Sequence, residues 1–385
     1  MAKLHHASSL VRKGTRLACN MGSGQEIQSH SQFGFPWIGL HLEPRGKTMK
    51  KILFATTALV MTAGVAAAEV AVTGDGRMGI VYDGENANFN SRIRAIFTMA
   101  GETDGGLTFG GSIRADNSSN GTVGAAGNIF ISGEFGKIAM GDVDGALENA
   151  VGDLSGIGYS NANSIMEWYE TEYLNYTNVQ DPYLLYSYSF GDFGFYAGMS
   201  DGTAGGMHGN TDKDTPRFEQ YSVGATYDFG DFGVAGGYES RKAENYEREY
   251  QWIVSANAAF GDAALKGFYG KGKAYNFAGN DYDVVTGDLI APSEFQKFDQ
   301  YGVSFDYKMG PTTVTAFYRE LSLDKTGDAK YYGLGAAYNL GGGATLKGGV
   351  MKMDRPDGAY IQDNQSGSII AQDETVADFG VVFKF

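Results

Sequence analysis

Two groups of charged residues stand out by type and spacing. Arg77, Arg92, Arg94 and Arg114 cluster early in an otherwise acidic chain. Further on, the stretch Asp142–Gln180 carries Asp142, Asp144, Glu148, Asp153, Glu167, Glu170 and Glu172 and no Lys or Arg. Set facing each other across a gap, such groups make a transverse field that orients water and dipolar solutes and discriminates between ions. They make and break no bonds. Groups suited to covalent chemistry are scarce: the single Cys is Cys19, and His208 is the one His beyond residue 68. No Ser–His pairing accompanies it, and its Gly-rich surroundings, Gly202–Asn210, read as an exposed loop. Gly74-Asp75-Gly76-Arg77-Met78-Gly79 matches GxGxxG. A dinucleotide site needs that motif after a strand and opening a helix. Here it runs inside an alternating segment into Ile80-Val81-Tyr82. Asp212 and Asp214 are carboxylates of a kind that Ca²⁺ takes, but no EF-hand spacing surrounds them. No cofactor is expected, and a structural Ca²⁺ is the one metal the acidic loops suggest.

The four arginines sit on segments that alternate with period two, the mark of strands with unlike faces. In Val72–Tyr82, Met78, Ile80 and Tyr82 share one face and Thr73, Asp75 and Arg77 the other. In Ser91–Met99, Ile93, Ala95, Phe97 and Met99 oppose Arg92, Arg94 and Thr98. In Leu107–Asp116, Leu107, Phe109 and Ile113 oppose Ser112, Arg114 and Asp116. Lone surface charges would scatter over both faces; these four share the polar side of three successive strands. Later segments repeat the alternation down to Ala377/Phe379/Val381/Phe383/Phe385, and rings recur at the ends of the apolar rows. That is the pattern of a lipid-facing band with aromatic girdles.

Connections alternate in length. Short ones lie at Gly101–Gly106, Gly133–Lys137, Phe190–Gly194, Phe229–Gly233, Phe260–Ala264, Met309–Thr313 and Leu340–Thr345, where Gly and Asp suit tight hairpins. Long ones lie at Asp83–Asn90, Asn117–Gly127, Asp142–Gln180, Gly202–Arg217, Lys242–Arg248, Ala274–Gln296, Ser322–Asp328 and Arg355–Glu374. Seven short and eight long connections predict sixteen strands. The predicted fold is all-β: a 16-stranded antiparallel transmembrane up-and-down β-barrel, short turns at one rim and long loops at the other, the third long loop folded into the lumen. Such a long segment without strand pattern is uncommon unless it is functional.

Composition agrees. Among 385 residues, 57 are Gly, 7 Pro, 24 Tyr and 24 Phe, which suits many strands and tight turns. A mean hydropathy of −0.25 argues against helical spans and leaves a half-apolar barrel open. Met49-Lys50-Lys51, the apolar Ile52–Val60 and Ala66-Ala67-Ala68 read as a signal peptide over 49–68, cleaved before Glu69. A signal works at a chain start, so residues 1–48 read as an over-extended gene model, with Met49 the true start. The 30 Lys/Arg and 45 Asp/Glu give a net charge of −15; residues 1–68 hold 8 of the former and 2 of the latter, leaving −21 on 69–385. That balance disfavours nucleic acid and favours cations. Without Cys, the exported chain needs no disulfides.

EVAVTGDGRMGIVYDG, SRIRAIFTM, GEFGKIAMGD, YYGLGAAYNLGGGA and ADFGVVFKF resemble the general diffusion porins of the Rhodobacter and Paracoccus type. The resemblance covers essentially all of 69–385 and is weakest in the loops. It implies a homotrimer in the bacterial outer membrane, among lipid and lipopolysaccharide, that passes small hydrophilic solutes and ions. It also implies that Arg77, Arg92 and Arg94 match the basic side of the constriction as arginines, and Arg114 as a basic position. Glu148, in GALENAVGD, lies where the third loop resembles the family's; the middle, Asn161–Tyr169, departs from it. The expectation is a weakly cation-preferring channel. A sugar- or anion-specific channel is the alternative, kept open by Trp168, Tyr169 and Tyr173; an adhesin or enzyme on the same barrel is a more distant one.

Overall fold

The structure is a computed structural model that describes residues 69–117, 127–160, 171, 173–174, 183–200, 218–243, 247–274, 295–325, 327–354 and 373–385. Sixteen strands close into one ring. They are β1 (Glu69–Tyr82), β2 (Ala87–Glu102), β3 (Thr108–Asp116), β4 (Gly127–Gly133), β5 (Gly136–Gly141), β6 (Tyr183–Phe190), β7 (Phe193–Ser200) and β8 (Phe218–Asp228). Then follow β9 (Phe232–Ala243), β10 (Glu249–Phe260), β11 (Ala263–Ala274), β12 (Gln296–Met309), β13 (Thr312–Leu323), β14 (Gly327–Gly341), β15 (Ala344–Asp354) and β16 (Asp373–Lys384). Each pairs antiparallel with its sequence neighbours, and β1 pairs with β16, so no strand edge is left open. A helix, α1 (Ala146–Val151), lies in the third long connection.

The predicted faces hold. Val70, Val72, Met78, Ile80 and Tyr82 of β1 are exposed on the outside while Arg77 is buried on the inside. The tall wall from β8 to β14 carries rings near the long-loop rim: Tyr221, Tyr238, Tyr250, Trp252, Tyr269, Tyr301 and Tyr332 are exposed to the outside, and Tyr318 among them is half-buried. Successive rings meet at 5.6 Å (Trp252–Tyr269), 6.2 Å (Tyr301–Tyr318) and 6.4 Å (Tyr318–Tyr332). The opposite wall is short. β4 has 7 residues and β5 has 6, against 14 in β12 and 15 in β14.

Two predicted loops are shorter than expected. Asp83–Asn90 contracts to a turn ending at Asn86, because Asp83 Oδ1 accepts the amides of Glu85 (3.0 Å) and Asn86 (2.7 Å) and β2 begins at Ala87. Ser322–Asp328 likewise contracts, with β13 running to Leu323 and β14 starting at Gly327. At the start of β2 the inner face carries Asn88 and Asn90 and the outer face runs Ala87, Phe89, Ser91, too short and broken an apolar row to mark the strand. The third feature is α1, a helix inside the segment read from sequence as an acidic loop without strand pattern.

Candidate functional site

The four arginines lie on the inner wall of β1–β3, and they are not a bare positive stripe. Asp75 and Asp116 interleave with them. Asp75 stands opposite Arg94 in the β1–β2 register, and Asp116 opposite Arg94 in the β2–β3 register. Arg92 Nη2 lies 3.1 Å from Asp75 Oδ1, Arg94 3.9 Å from Asp75 and 3.4 Å from Asp116, and Arg114 3.1 Å from Asp116. The chain of ion pairs Arg92–Asp75–Arg94–Asp116–Arg114 holds the guanidinium planes against one another, which four like charges alone would resist. With Arg77, directly opposite Arg92, the wall carries more positive than negative groups.

The acidic segment leaves β5 at Asp142 and follows the inner wall. Its helix has no side-chain N-cap of its own: Gly145 makes no side-chain cap bond, while at the C-terminus Gly152 N–H donates to Glu148 O. The barrel caps it instead. Ser222 Oγ on β8 accepts the amide of Ala146 at 2.7 Å. At the other end Lys266 Nζ on β11 donates to the carbonyls of Val151 (2.7 Å) and Asp153 (2.6 Å), where a helix leaves carbonyls unpaired and favours a cation. Further along, the amide of Ser155 donates to Ser304 Oγ on β12 at 3.0 Å. Asp378 Oδ2 on β16 accepts the amides of Tyr159 and Ser160, both at 2.9 Å, and the Ser160 hydroxyl at 2.6 Å. Glu239 on β9 accepts the amide of Leu174 and, at 2.6 Å, the side-chain amide of Gln251.

The same path is cleared of side chains. A Cβ on Gly224 of β8 would meet Ala150 Cβ at 2.6 Å, one on Gly302 of β12 would meet Leu154 at 2.7 Å, and one on Gly335 of β14 would meet Ile157 at 2.7 Å. Gly79 of β1 and Gly380 of β16 lie under the Tyr159 ring, which a Cβ on them would meet at 2.7 and 2.9 Å. Leu147, Val151, Leu154 and Ile157 are buried against this wall with Ile253, Phe268 and Phe317. The segment therefore hugs β8–β16, and Tyr159 OH reaches Asn90 O of β2 at 3.4 Å. Its far described end thus comes onto β1 and β2, the strands that carry Arg77 and Arg92.

Its carboxylates divide. Asp142 lies near Arg114, whose charge partly offsets the burial that pushes the Asp142 carboxyl above the usual range. Asp144 has an exposed side chain but is enclosed by the barrel. That enclosure first, then the charges of Asp142 and Asp153, push its carboxyl up. Asp153 accepts the amide of Thr171 at 2.9 Å and lies near Lys266 and Arg319, so it ties the segment together. Glu148 is half-buried on α1. Glu167, Glu170 and Glu172 lie outside the described residues, as do Trp168, Tyr169, His208, Asp212 and Asp214. Tyr173 packs on the buried cluster and donates to Gly152 O at 3.2 Å. Among the described residues no group of three or more His, Cys, Asp or Glu is placed to hold a metal ion.

The anchors Ser222, Glu239, Lys266 and Asp378 were not picked out as site residues from sequence. Their only signal is parity: each is a polar residue on the inner side of a strand. Lys266→Met, which keeps the aliphatic stem, removes two charge-assisted bonds worth roughly 1.5–3 kcal/mol each. We expect this variant to insert normally and to show noisier open-channel current and a lower heat-modification temperature on gels.

A family model described as Gram-negative porin matches residues 55–358. The chain is 38% identical to a porin of Rhodobacter capsulatus over 326 residues, covering 82% of this chain and all of that one. A solved porin structure refined at 1.8 Å superposes with a TM-score of 0.67 at 37% identity, again over 82% of this chain and all of the other. A mutant of the Rh. blastica porin (TM-score 0.55, 22% identity, 82% of this chain and all of that one) has the same fold. So has a loop-deletion form of OmpT, an outer membrane protein of Vibrio cholerae (TM-score 0.59, 15% identity, 83% of this chain and all of that one).

Proposed function

The chain belongs to the Gram-negative porin family, and from that premise we infer how its channel is narrowed and tuned. It is an outer-membrane general diffusion porin: a water-filled barrel through which small hydrophilic solutes pass down their gradients. We place the constriction between the Arg77/Arg92/Arg94/Arg114 wall and the segment that begins at Asp142, with Asp142, Asp144 and Glu148 on its acidic side. The observation that supports this reading is the seating of the segment's described part on anchors from β8 to β16, inside the barrel whose β1–β3 wall carries the arginines. Asp75 and Asp116 offset part of the positive charge, and residues 69–385 are strongly acidic, so the channel prefers cations weakly. The loop carboxylates Glu167, Glu170 and Glu172 belong to the same proposal. Tyr173, tied to the packed cluster, gives a sugar-specific ladder no support.

Reversal potential across a planar bilayer in a salt gradient, with protein beginning at Glu69, tests this reading. Large ohmic steps with a modest cation-directed potential are expected; steps strongly selective for anions would refute the charge assignment. The same measurement has a pH dependence. The carboxyls of Asp142 and Asp144 are raised, so they take up protons before exposed carboxylates do as pH falls, while the arginines stay charged. Cation preference is therefore expected to weaken on acidification above the ordinary carboxylate range. Asp142→Asn with Asp144→Asn should flatten that part of the curve.

The trimer is supported by the short wall. At about 3.3 Å per residue and 40° of tilt, six residues gain roughly 15 Å, against an apolar band about 25 Å tall. β4 and β5 also present Ile129, Ile131, Ile138 and Met140 to the outside, and no ring. That face suits a neighbouring copy better than lipid, and cross-linking there should yield a closed trimer. Export through a signal at 49–68, with translation from Met49, belongs to the same proposal and rests on the basic, apolar and small-residue pattern of Met49–Ala68; an intact mass that retained Trp37 would overturn it.

A further inference from the structure

On the outside of the barrel, at the long-loop rim, a cleft of roughly 530 Å³ is lined by Lys242, Glu247, Arg248, Tyr250, Lys273 and Phe295. In a chain this acidic, three cations around one opening need an explanation. Lys273 stands opposite Tyr250 in the β10–β11 register, and Tyr250 opposite Ser240 in the β9–β10 register. All three belong to the outward face of their strands. Tyr238 stacks on Tyr250 at 6.4 Å, and two residues further into the membrane band Trp252 meets Tyr269 at 5.6 Å. The cleft thus opens immediately above the aromatic girdle, at the depth of lipid headgroups.

Its cations are only loosely engaged. Arg248 is 4.0 Å from Glu219 and Lys273 is 3.8 Å from Glu247, all on partly exposed side chains. Pairs so long and wet contribute little. Lys242 makes no ion pair among the described residues. By contrast, Arg241 and Glu249, one residue away on the inner face, form a tight pair at 2.6 and 3.2 Å. Arg248 also donates to Ser240 Oγ at 3.3 Å, and Lys273 sits 4.0 Å over the Phe295 ring; both contacts hold a cation in place without neutralising it.

We propose that Lys242, Arg248 and Lys273 form a binding site for the phosphate of a phosphorylated lipid headgroup in the outer leaflet. A phosphate offers several acceptor oxygens to several donors at once, which the distant carboxylates do not. Continuity with the aromatic girdle selects a membrane lipid over free phosphate, because acyl chains attached to a bound phosphate would run down over Tyr250, Trp252 and Val254. The inference rests on the outer-membrane reading and adds a site to it.

The test uses the folded protein in mixed micelles, titrated with diphosphoryl lipid A and with its fully dephosphorylated form, and bound lipid is counted by native mass spectrometry. Each cation near an anionic surface changes affinity about fivefold, so Lys242→Gln, Arg248→Gln and Lys273→Gln together should weaken lipid A binding on the order of a hundredfold. Lys242→Arg with Lys273→Arg should keep it, which separates loss of charge from misfolding. Lys352→Gln, on the same rim outside the cleft, should bind as wild type. Equal binding by the triple variant, or equal binding of the dephosphorylated lipid, overturns the site. Displacement of lipid A by an equal concentration of inorganic phosphate overturns the lipid assignment in favour of a free-phosphate site. Single-channel recording on the wild-type preparation reads the pore separately: absence of channels would sink the porin reading and leave the lipid result standing.

Discussion

Asp378→Ala is expected to release the Tyr159–Ser160 end of the constricting segment and turn a steady open-channel current into one that flickers. One carboxylate oxygen holds two amides and a hydroxyl there, with Ser160 fully buried. Removing it strands three buried donors, at roughly 1–3 kcal/mol each. The barrel itself should survive, because β15–β16–β1 is held by backbone ladders that the substitution leaves intact. The complementary variant is Gly158→Ala. Gly158 has φ +77°, in the left-handed region, and a Cβ there would lie 2.5–2.6 Å from the Asp378 carboxylate oxygens. Both variants should give the same noise and the same increase in proteolysis of the segment, with normal heat-modifiable mobility. Quiet, wild-type traces from both would show that this end of the segment is held by something other than Asp378.

The second large effect is on selectivity. Arg92→Gln with Arg94→Gln removes two charges that a passing ion meets at close range, each worth about 1 kcal/mol at 4 Å in water and less with salt. It also leaves Asp75 without its two partners, so a carboxylate that had been offset becomes a free charge on the same wall. The cation-to-anion permeability ratio should rise about tenfold at low salt, and the change should shrink as salt is raised. Asp75→Asn should move the ratio the other way. A double variant with unchanged reversal potential would mean that ions do not pass along this wall.

What the sequence made legible follows from the solvent on each side of the wall. Lipid outside and water inside impose a period of two wherever a strand crosses the membrane, so the sixteen strands, their faces and the inward parity of Arg77, Arg92, Arg94 and Arg114 could be read directly. Beyond the membrane both sides are wet, the pattern fades, and the start of β2 at Ala87 and the junction of β13 with β14 were read as loop. The partnership of Asp75 and Asp116 with the arginines depends on register between strands, which no single strand encodes. The helix at Ala146–Val151 is six residues long, too short to persist alone, and its ends are satisfied by Ser222 and Lys266 from the barrel. The many glycines read as turn residues; several instead lie mid-strand and make room for Leu154, Ile157 and Tyr159.

The Tyr159 ring rests on Gly79 of the first strand and Gly380 of the last, and Ser160 reaches across 218 residues to Asp378. The seat therefore straddles the seam where the ring closes, and half of it is carried by the final strand. Contacts between such distant parts of a chain form late, because the loop entropy of joining them must be met first. On the proposed reading of this segment, its seating is expected to be completed only when the ring closes, and a chain whose ends have not met has the anchors of β8–β12 without the seat of Tyr159 and Ser160.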